Sequence, residues 1–210
     1  MEKEQIKNVI AERKIPYLVH FTNLKNLKSI FSDGLVPRSQ LDALDAEYES
    51  NDDARLDGHE DSVSLSVAFP NCQMFYKLWK NSGDKFCLLA LDPELLQKHS
   101  SAFCKYNAAD GAISSQDIET LKTAAAFEGM FDELPSQRSR AEQKLEDYDP
   151  TDVQAEILVF DTIPKGYIGA VVFPDKESEK DFKDIIGGCK SYVHSPNKGF
   201  YGTRTFSREY

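Results

Sequence analysis

One carboxylate stands where a carboxylate is awkward. In the stretch DPTDVQAEILVF, Glu156 directly precedes Ile157-Leu158-Val159-Phe160, an apolar run that reads as a buried β-strand. A charge at the mouth of such a strand costs free energy unless it is paired, solvated or used. Nothing basic lies between Tyr148 and Ile163, so no sequence neighbour neutralises it. Either a partner arrives from elsewhere in the chain, or the carboxylate faces a cleft, where it can hold a hydroxyl and accept a proton.

Three other places carry usable chemistry. His20-Phe21-Thr22 closes an apolar segment and opens a helix. On an extended chain His20 and Thr22 point to the same side, and beside a helix N-terminus they make a seat for a ribose or phosphate. The plainer alternative is that Thr22 caps the helix and His20 is a satisfied core residue. Arg55 is the one base among nine acids between Leu41 and Asp61. It is either a solvated surface charge or a guanidinium that a loop delivers to a carbonyl or phosphate. In FPNCQMFYK, Asn71 is placed to cap a helix, and Tyr76 belongs either to the core or to an aromatic wall for a flat ring.

These places need elements to hold them. The spacing predicts helices over 6–14, 24–33, 72–80, 117–131 and 178–186. Strands are predicted over 18–21, 63–69, 86–91, 157–160, 168–173 and 190–194. Residues 38–61 and 134–150 are polar and aperiodic, which predicts long loops, the second of them mobile. Helices come early, strands dominate the middle, and regular βαβ alternation is absent. The expected class is therefore α+β. No linker or repeat divides the chain, so residues 1–210 are expected to form a single domain.

Composition narrows the function. The chain has 210 residues, a formal net charge of −10 and no apolar run long enough to span a bilayer. Its charged N-terminus lacks the apolar stretch of a secretory signal, so a cytoplasmic location is expected. The four cysteines stand singly and no His sits at zinc-ligand spacing, so no metal site is expected. The signatures of a P-loop kinase, a Rossmann dehydrogenase and a zinc protease are missing. The acidic balance opposes bulk phosphate binding. Yet from Lys183 to Tyr210 five bases face two acids and alternate with aromatic residues. Local charge and stacking there, with Arg138, Arg140, Lys198 and Arg204, are the expected contacts to a nucleic acid.

Taken in order, HFTNLKNLKSIFSDGL, ARLDG with SVSLSVAFPNCQMFYK, KYNAADG, AAAFEGMF and YDPTDVQAEILVF resemble the DarT family of DNA ADP-ribosyltransferases. The resemblance runs from about Ile15 to Phe173. It implies a split, mostly antiparallel β-core with surrounding helices around a cleft for NAD. It implies transfer of ADP-ribose from NAD to a base in single-stranded DNA, with release of nicotinamide. It also implies a toxin of a bacterium or phage system, neutralised by an antitoxin with ADP-ribosyl-hydrolase activity. Glu156 matches the family's catalytic glutamate and Arg55 its catalytic arginine. His20 and Thr22 match its NAD-binding start; Asn71 and Tyr76, read from their own segment, are the further residues expected to bind NAD. The segment before Glu156 matches the loop that reads DNA. The wording of the Arg-Leu-Asp and Phe-Pro-Asn motifs is closer to guanine-modifying relatives than to thymine-modifying ones. Transfer to RNA or protein, and a catalytically silent binding module of this fold, are the alternatives. The presence of both Glu156 and Arg55 argues against silence.

Overall fold

β-branched and apolar residues concentrate in short runs, and these runs become the strands of one sheet. The computed structural model describes residues 1–41, 58–195 and 199–209. Arg55 and Lys198 lie outside the described residues. Among those described, the strands are β1 (Leu18–Asn23), β2 (Val63–Val67), β3 (Phe86–Leu91), β4 (Ser101–Cys104), β5 (Glu156–Val159), β6 (Ile168–Phe173) and β7 (Lys190–Val193). They form a seven-stranded sheet in the order β4-β5-β2-β1-β3-β6-β7. Every pairing is antiparallel except β6 with β7. The expected α+β class with a mostly antiparallel core is what the chain adopts.

The helices are α1 (Glu2–Glu12), α2 (Leu27–Asp33), α3 (Arg38–Leu41), α4 (Cys72–Ser82), α5 (Leu95–Lys98), α6 (Gly111–Ser114), α7 (Ile118–Leu121), α8 (Ala124–Gly129), α9 (Lys176–Ile186) and α10 (Arg204–Glu209). The single helix expected over 117–131 is broken into α7 and α8. Thr123 is extended, and its side chain accepts from the Ala126 N–H, which starts a new helix in mid-pattern. At the end of α2, Gly34 has φ of 93°. A Cβ there would meet the Ile163 carbonyl oxygen at 2.5 Å, so the turn requires glycine.

Period-2 alternation sorts the strand residues onto two faces. Leu18, Leu65, Val67, Leu89, Phe103, Ile157, Val159 and Val171 share the main core with residues of α1, α2 and α8. Phe103 stacks on Phe127 of α8 with ring centroids 4.3 Å apart. The opposite face carries two separate apolar clusters. One joins Ala102, Cys104 and Leu158 of β4 and β5 to Ala108, Ile113 and Leu121. The other joins Val19, Phe86 and Leu88 of β1 and β3 to Phe75 and Tyr201. Between them β2 presents Ser64 and Ser66, because its Val63, Leu65 and Val67 all belong to the main core.

The join between β1 and β2 is short. β1 pairs with β3 from Leu18↔Leu91 to Asn23↔Phe86. It meets β2 only at Leu18↔Val67 and Val19↔Ser66. The sheet is thus split into a β4-β5-β2 part and a β1-β3-β6-β7 part, held together at one end. β2 stops abruptly beside this join. The Phe69 N–H donates to the Val67 carbonyl at 2.6 Å, which closes a γ-turn on Ala68 with φ of 56°. A non-glycine residue held there stores about 1–3 kcal/mol of strain.

Candidate active site

Glu156 opens β5 and lies opposite Cys104 of β4 in the register. Because Ile157 points into the main core, Glu156 points to the other face, together with Cys104 and Leu158. It is only 8% exposed. The Ala108 N–H donates to its Oε2 at 2.8 Å. Ala108 is aimed by the turn after β4, in which Asn107 Oδ1 accepts from the Ala109 N–H at 3.0 Å and the Asp110 N–H donates to the Asn107 carbonyl at 2.9 Å. Such asparagine turns are a local sequence signal. The Tyr-Asn-Ala-Ala-Asp wording contained it, but strand β4, which delivers the turn, escaped the sequence reading.

Leu65 lies opposite Ile157, so Ser66 is the next residue of β2 beside Glu156 on the same face. Ser66 Oγ accepts from the Asn71 N–H at 3.2 Å, and both residues are buried. The γ-turn on Ala68 is what brings Asn71 back over Ser66. Asn71 also caps α4, with Oδ1 accepting from the Met74 N–H at 3.1 Å. Its Nδ2 is buried and has no hydrogen-bond partner among the described residues. An unmet buried donor costs about 1–3 kcal/mol, which marks the Ser66–Asn71 corner as a place prepared for something more than capping. Ser66 was not among the residues singled out from sequence.

His20 stands one residue beyond the last β1–β2 pair. Its Nδ1 lies 3.0 Å from the Ser64 carbonyl oxygen, so the ring takes up a group that the main-chain ladder no longer reaches. A carbonyl can only accept, so Nδ1 carries the proton and Nε2 keeps a lone pair in the neutral ring. Burial lowers the pKa of His20, partly opposed by the Ser64 hydrogen bond. Thr22 is buried and lies within β1. Its Oγ1 accepts from Asn26 Nδ2 at 3.0 Å, while Asn23 caps the following turn through the Lys25 N–H. Helix capping thus falls to Asn23, and Thr22 is left beside His20 on one side of β1. Tyr76 is 53% exposed on α4, with Trp79 edge-on at 6.3 Å and the Lys80 ammonium 5.6 Å from its ring. It is a surface aromatic and not part of the core.

The basic residues occupy different environments. Arg138 is exposed, with Nη2 donating to the Glu142 carbonyl. Arg140 is half-buried and donates to the carbonyls of Asp149 and Glu146 and to Thr151 Oγ1. Arg204 is buried and donates to the carbonyls of Pro150 and Thr151. Desolvation lowers the pKa of both Arg140 and Arg204. The segment expected as a mobile loop over 134–150 receives several of these bonds, at Glu146, Asp149 and Pro150.

A family model matches residues 19–201, and its description reads ssDNA thymidine ADP-ribosyltransferase, DarT. The chain belongs to the DarT family. Its activity class is that of the family, ADP-ribosylation of single-stranded DNA. Solved DarT structures share the fold. Thermus sp. 2.9 DarT in complex with ADP-ribosylated ssDNA superposes with a TM-score of 0.62 at 13% identity, over 86% of this chain and 95% of that one. The same protein in complex with NAD+ gives 0.56 at 14% identity, over 86% and 96%. Thermosipho africanus DarTG in complex with ADP-ribose gives 0.59 at 15% identity, over 88% of this chain but 50% of that one, so the chain spans half the length of DarTG. No curated protein sequence matches. Within the DarT fold of this chain, no group of His, Cys, Asp and Glu among the described residues is placed to hold a metal ion. No described helix is long and apolar enough to cross a membrane.

Proposed function

We propose that the chain transfers one ADP-ribose from NAD to a base of single-stranded DNA, with Glu156 as the catalytic carboxylate. The observation that carries this reading is the buried Glu156 at the head of β5, oriented by the Ala108 N–H. In the reaction the bond between ribose C1′ and nicotinamide breaks, and its electron pair leaves with nicotinamide. Positive charge grows on the ribose, and a fixed carboxylate stabilises it. A base nitrogen forms the new bond to C1′ and gives up its proton, which Glu156 accepts. An oriented carboxylate does not have to reorganise as the charge develops.

NAD enters as a substrate. Asn71 Nδ2 is a buried donor with no acceptor among the described residues, and the neutral His20 ring offers Nε2 beside Thr22. Both suit a molecule rich in hydroxyl and phosphate oxygen. Tyr76 supplies a ring face for stacking. Arg55 steadies the diphosphate or polarises the acceptor base. On the DNA side, Arg138 presents charge to solvent, and Lys198 belongs to the basic C-terminal stretch. Residues 1–210 act as one catalytic domain, built on one sheet. The cellular setting is a cytoplasmic toxin of a bacterium or of an anti-phage system, opposed by an antitoxin that hydrolyses the ADP-ribosyl bond.

The acceptor base is guanine on the wording of the two sequence motifs and thymine on the family's own description. Incubation with labelled NAD and four homopolymer oligonucleotides separates them. Label on one oligomer names the base. Label on RNA or on protein instead redirects the substrate, and intact NAD binding without label means a silent module. In the same assay Glu156→Gln keeps NAD binding and loses about 10²–10⁴-fold in transfer rate. A Glu156→Gln protein that still labels DNA at the parental rate removes Glu156 from this role.

A further inference from the structure

The residues before Glu156 are gripped by arginines from the far end of the chain. Asp149 is 0% exposed. Arg208 of α10 meets it with a two-pronged bridge, Nε to Oδ2 at 2.7 Å and Nη2 to Oδ1 at 2.8 Å. The same guanidinium lies 5.6 Å from the ring centroid of Tyr148 and 5.8 Å from that of Phe69. Phe69 belongs to the strained turn that leads to Asn71. Arg204 reaches the Pro150 and Thr151 carbonyls at 2.6 and 2.9 Å. From the other side Arg140 holds the Asp149 carbonyl at 2.7 Å and Thr151 Oγ1 at 3.0 Å. The chain just before the helix is moored to the sheet, since Tyr201 Oη donates to the Phe86 carbonyl at 2.6 Å.

We propose that Asp149, Arg204 and Arg208 are positioning residues that latch the acceptor-side segment 138–152 against the Phe69 turn and so set the approach of DNA to Glu156. The assignment rests on the reading of Glu156 as the catalytic carboxylate and of this segment as the DNA-facing one. The geometry gives the latch its reach. From Asp152 the chain makes a tight turn, with the Gln154 N–H on Asp152 Oδ1 at 2.7 Å and the Ala155 N–H on the Asp152 carbonyl at 3.2 Å. The next residue is Glu156. Loss of one prong therefore shifts a stiff segment whose far end is the catalytic strand. Guanidinium forks suit this task because they fix direction as well as distance. In this arrangement Arg204 and Arg208 serve DNA through the segment they hold and not by direct contact.

Arg208→Lys keeps the charge and removes the fork, so it tests orientation. Two readouts are taken on the full chain: amide hydrogen exchange across 138–152, and steady-state kinetics with NAD and the labelled oligonucleotide. We expect exchange in 138–152 to rise about tenfold, with other segments unchanged. The KM for the oligonucleotide should rise about tenfold while that for NAD stays within about twofold. Asp149→Asn, which keeps the shape and drops the charge, should follow the same split. Unchanged exchange overturns the latch. Raised exchange with unaltered oligonucleotide KM, or NAD and oligonucleotide KM values rising together, overturns the positioning role. Should the parental protein label no DNA at all, the functional reading fails, and the exchange result alone still decides whether the segment is latched.

Discussion

The Ala108 N–H and the Glu156 Oε2 atom, 48 positions apart in sequence, meet at 2.8 Å across the β4–β5 pair. A buried carboxylate at a strand entrance is thereby given a direction. The turn that supplies the donor depends on Asn107. Replacement of Asn107 by Ala removes its bond to the Ala109 N–H and costs about 0.5–1.5 kcal/mol of stability. Transfer should slow severalfold while NAD affinity holds, as steady-state kinetics beside a titration with NAD will show. An unchanged rate means the turn is set by its backbone alone.

Ser66 connects the strand beside Glu156 to the helix cap at Asn71. In Ser66→Ala the Asn71 N–H loses its acceptor inside the protein. We expect a loss of about 1–3 kcal/mol in denaturant unfolding together with weaker NAD binding. A variant as stable as the parent would mean that the Asn71 N–H finds another acceptor.

Ala68 carries the strain of the γ-turn, and the side chain decides how much. Glycine tolerates φ of 56°, so Ala68→Gly should be neutral or stabilising by up to about 1 kcal/mol. A β-branched residue cannot adopt this conformation cheaply, so Ala68→Val should destabilise by at least about 2 kcal/mol. Thermal unfolding of the pair gives the comparison, and equal melting points for the two variants would show that the turn is not strained.

Burial lowers the pKa of His20, and burial does the same to His194. In the unfolded chain both titrate near the ordinary value of about 6.5. Just below that pH the unfolded state binds more protons than the folded one, so stability falls as the pH drops through and below about 6.5. Above it this contribution is fully present. Urea unfolding at pH 7.5 and 5.5 should show the loss, and His20→Gln should reduce it. Identical pH dependence in the variant would take His20 out of the account.

Much of this molecule is legible before folding. The apolar runs at Phe86–Leu91 and Ile168–Phe173 appear where periodicity puts them, and Glu156 is conspicuous at the mouth of its strand. Strand β4 was not legible. It has four residues, all buried, and a run so short carries no period. The break at Thr123 was hidden because Ile118 and Leu121 before it and the three alanines after it continue a helical pattern. The arginine bonds to Glu146, Asp149 and Pro150 were hidden because polar loops look alike whether or not arginines hold their carbonyls.

By itself, then, the sequence determined the α+β class, most strands and the place of a carboxylate at a strand entrance, since these follow from local periodicity and from the cost of burying a charge. Only the tertiary structure decided that Ala108 orients Glu156, that Ser66 on the neighbouring strand binds Asn71, and that Arg204 and Arg208 grip the segment leading to Glu156. Those relations are hydrogen bonds between chain segments far apart, and they depend on strand register and buried guanidinium geometry, which no stretch of residues carries alone.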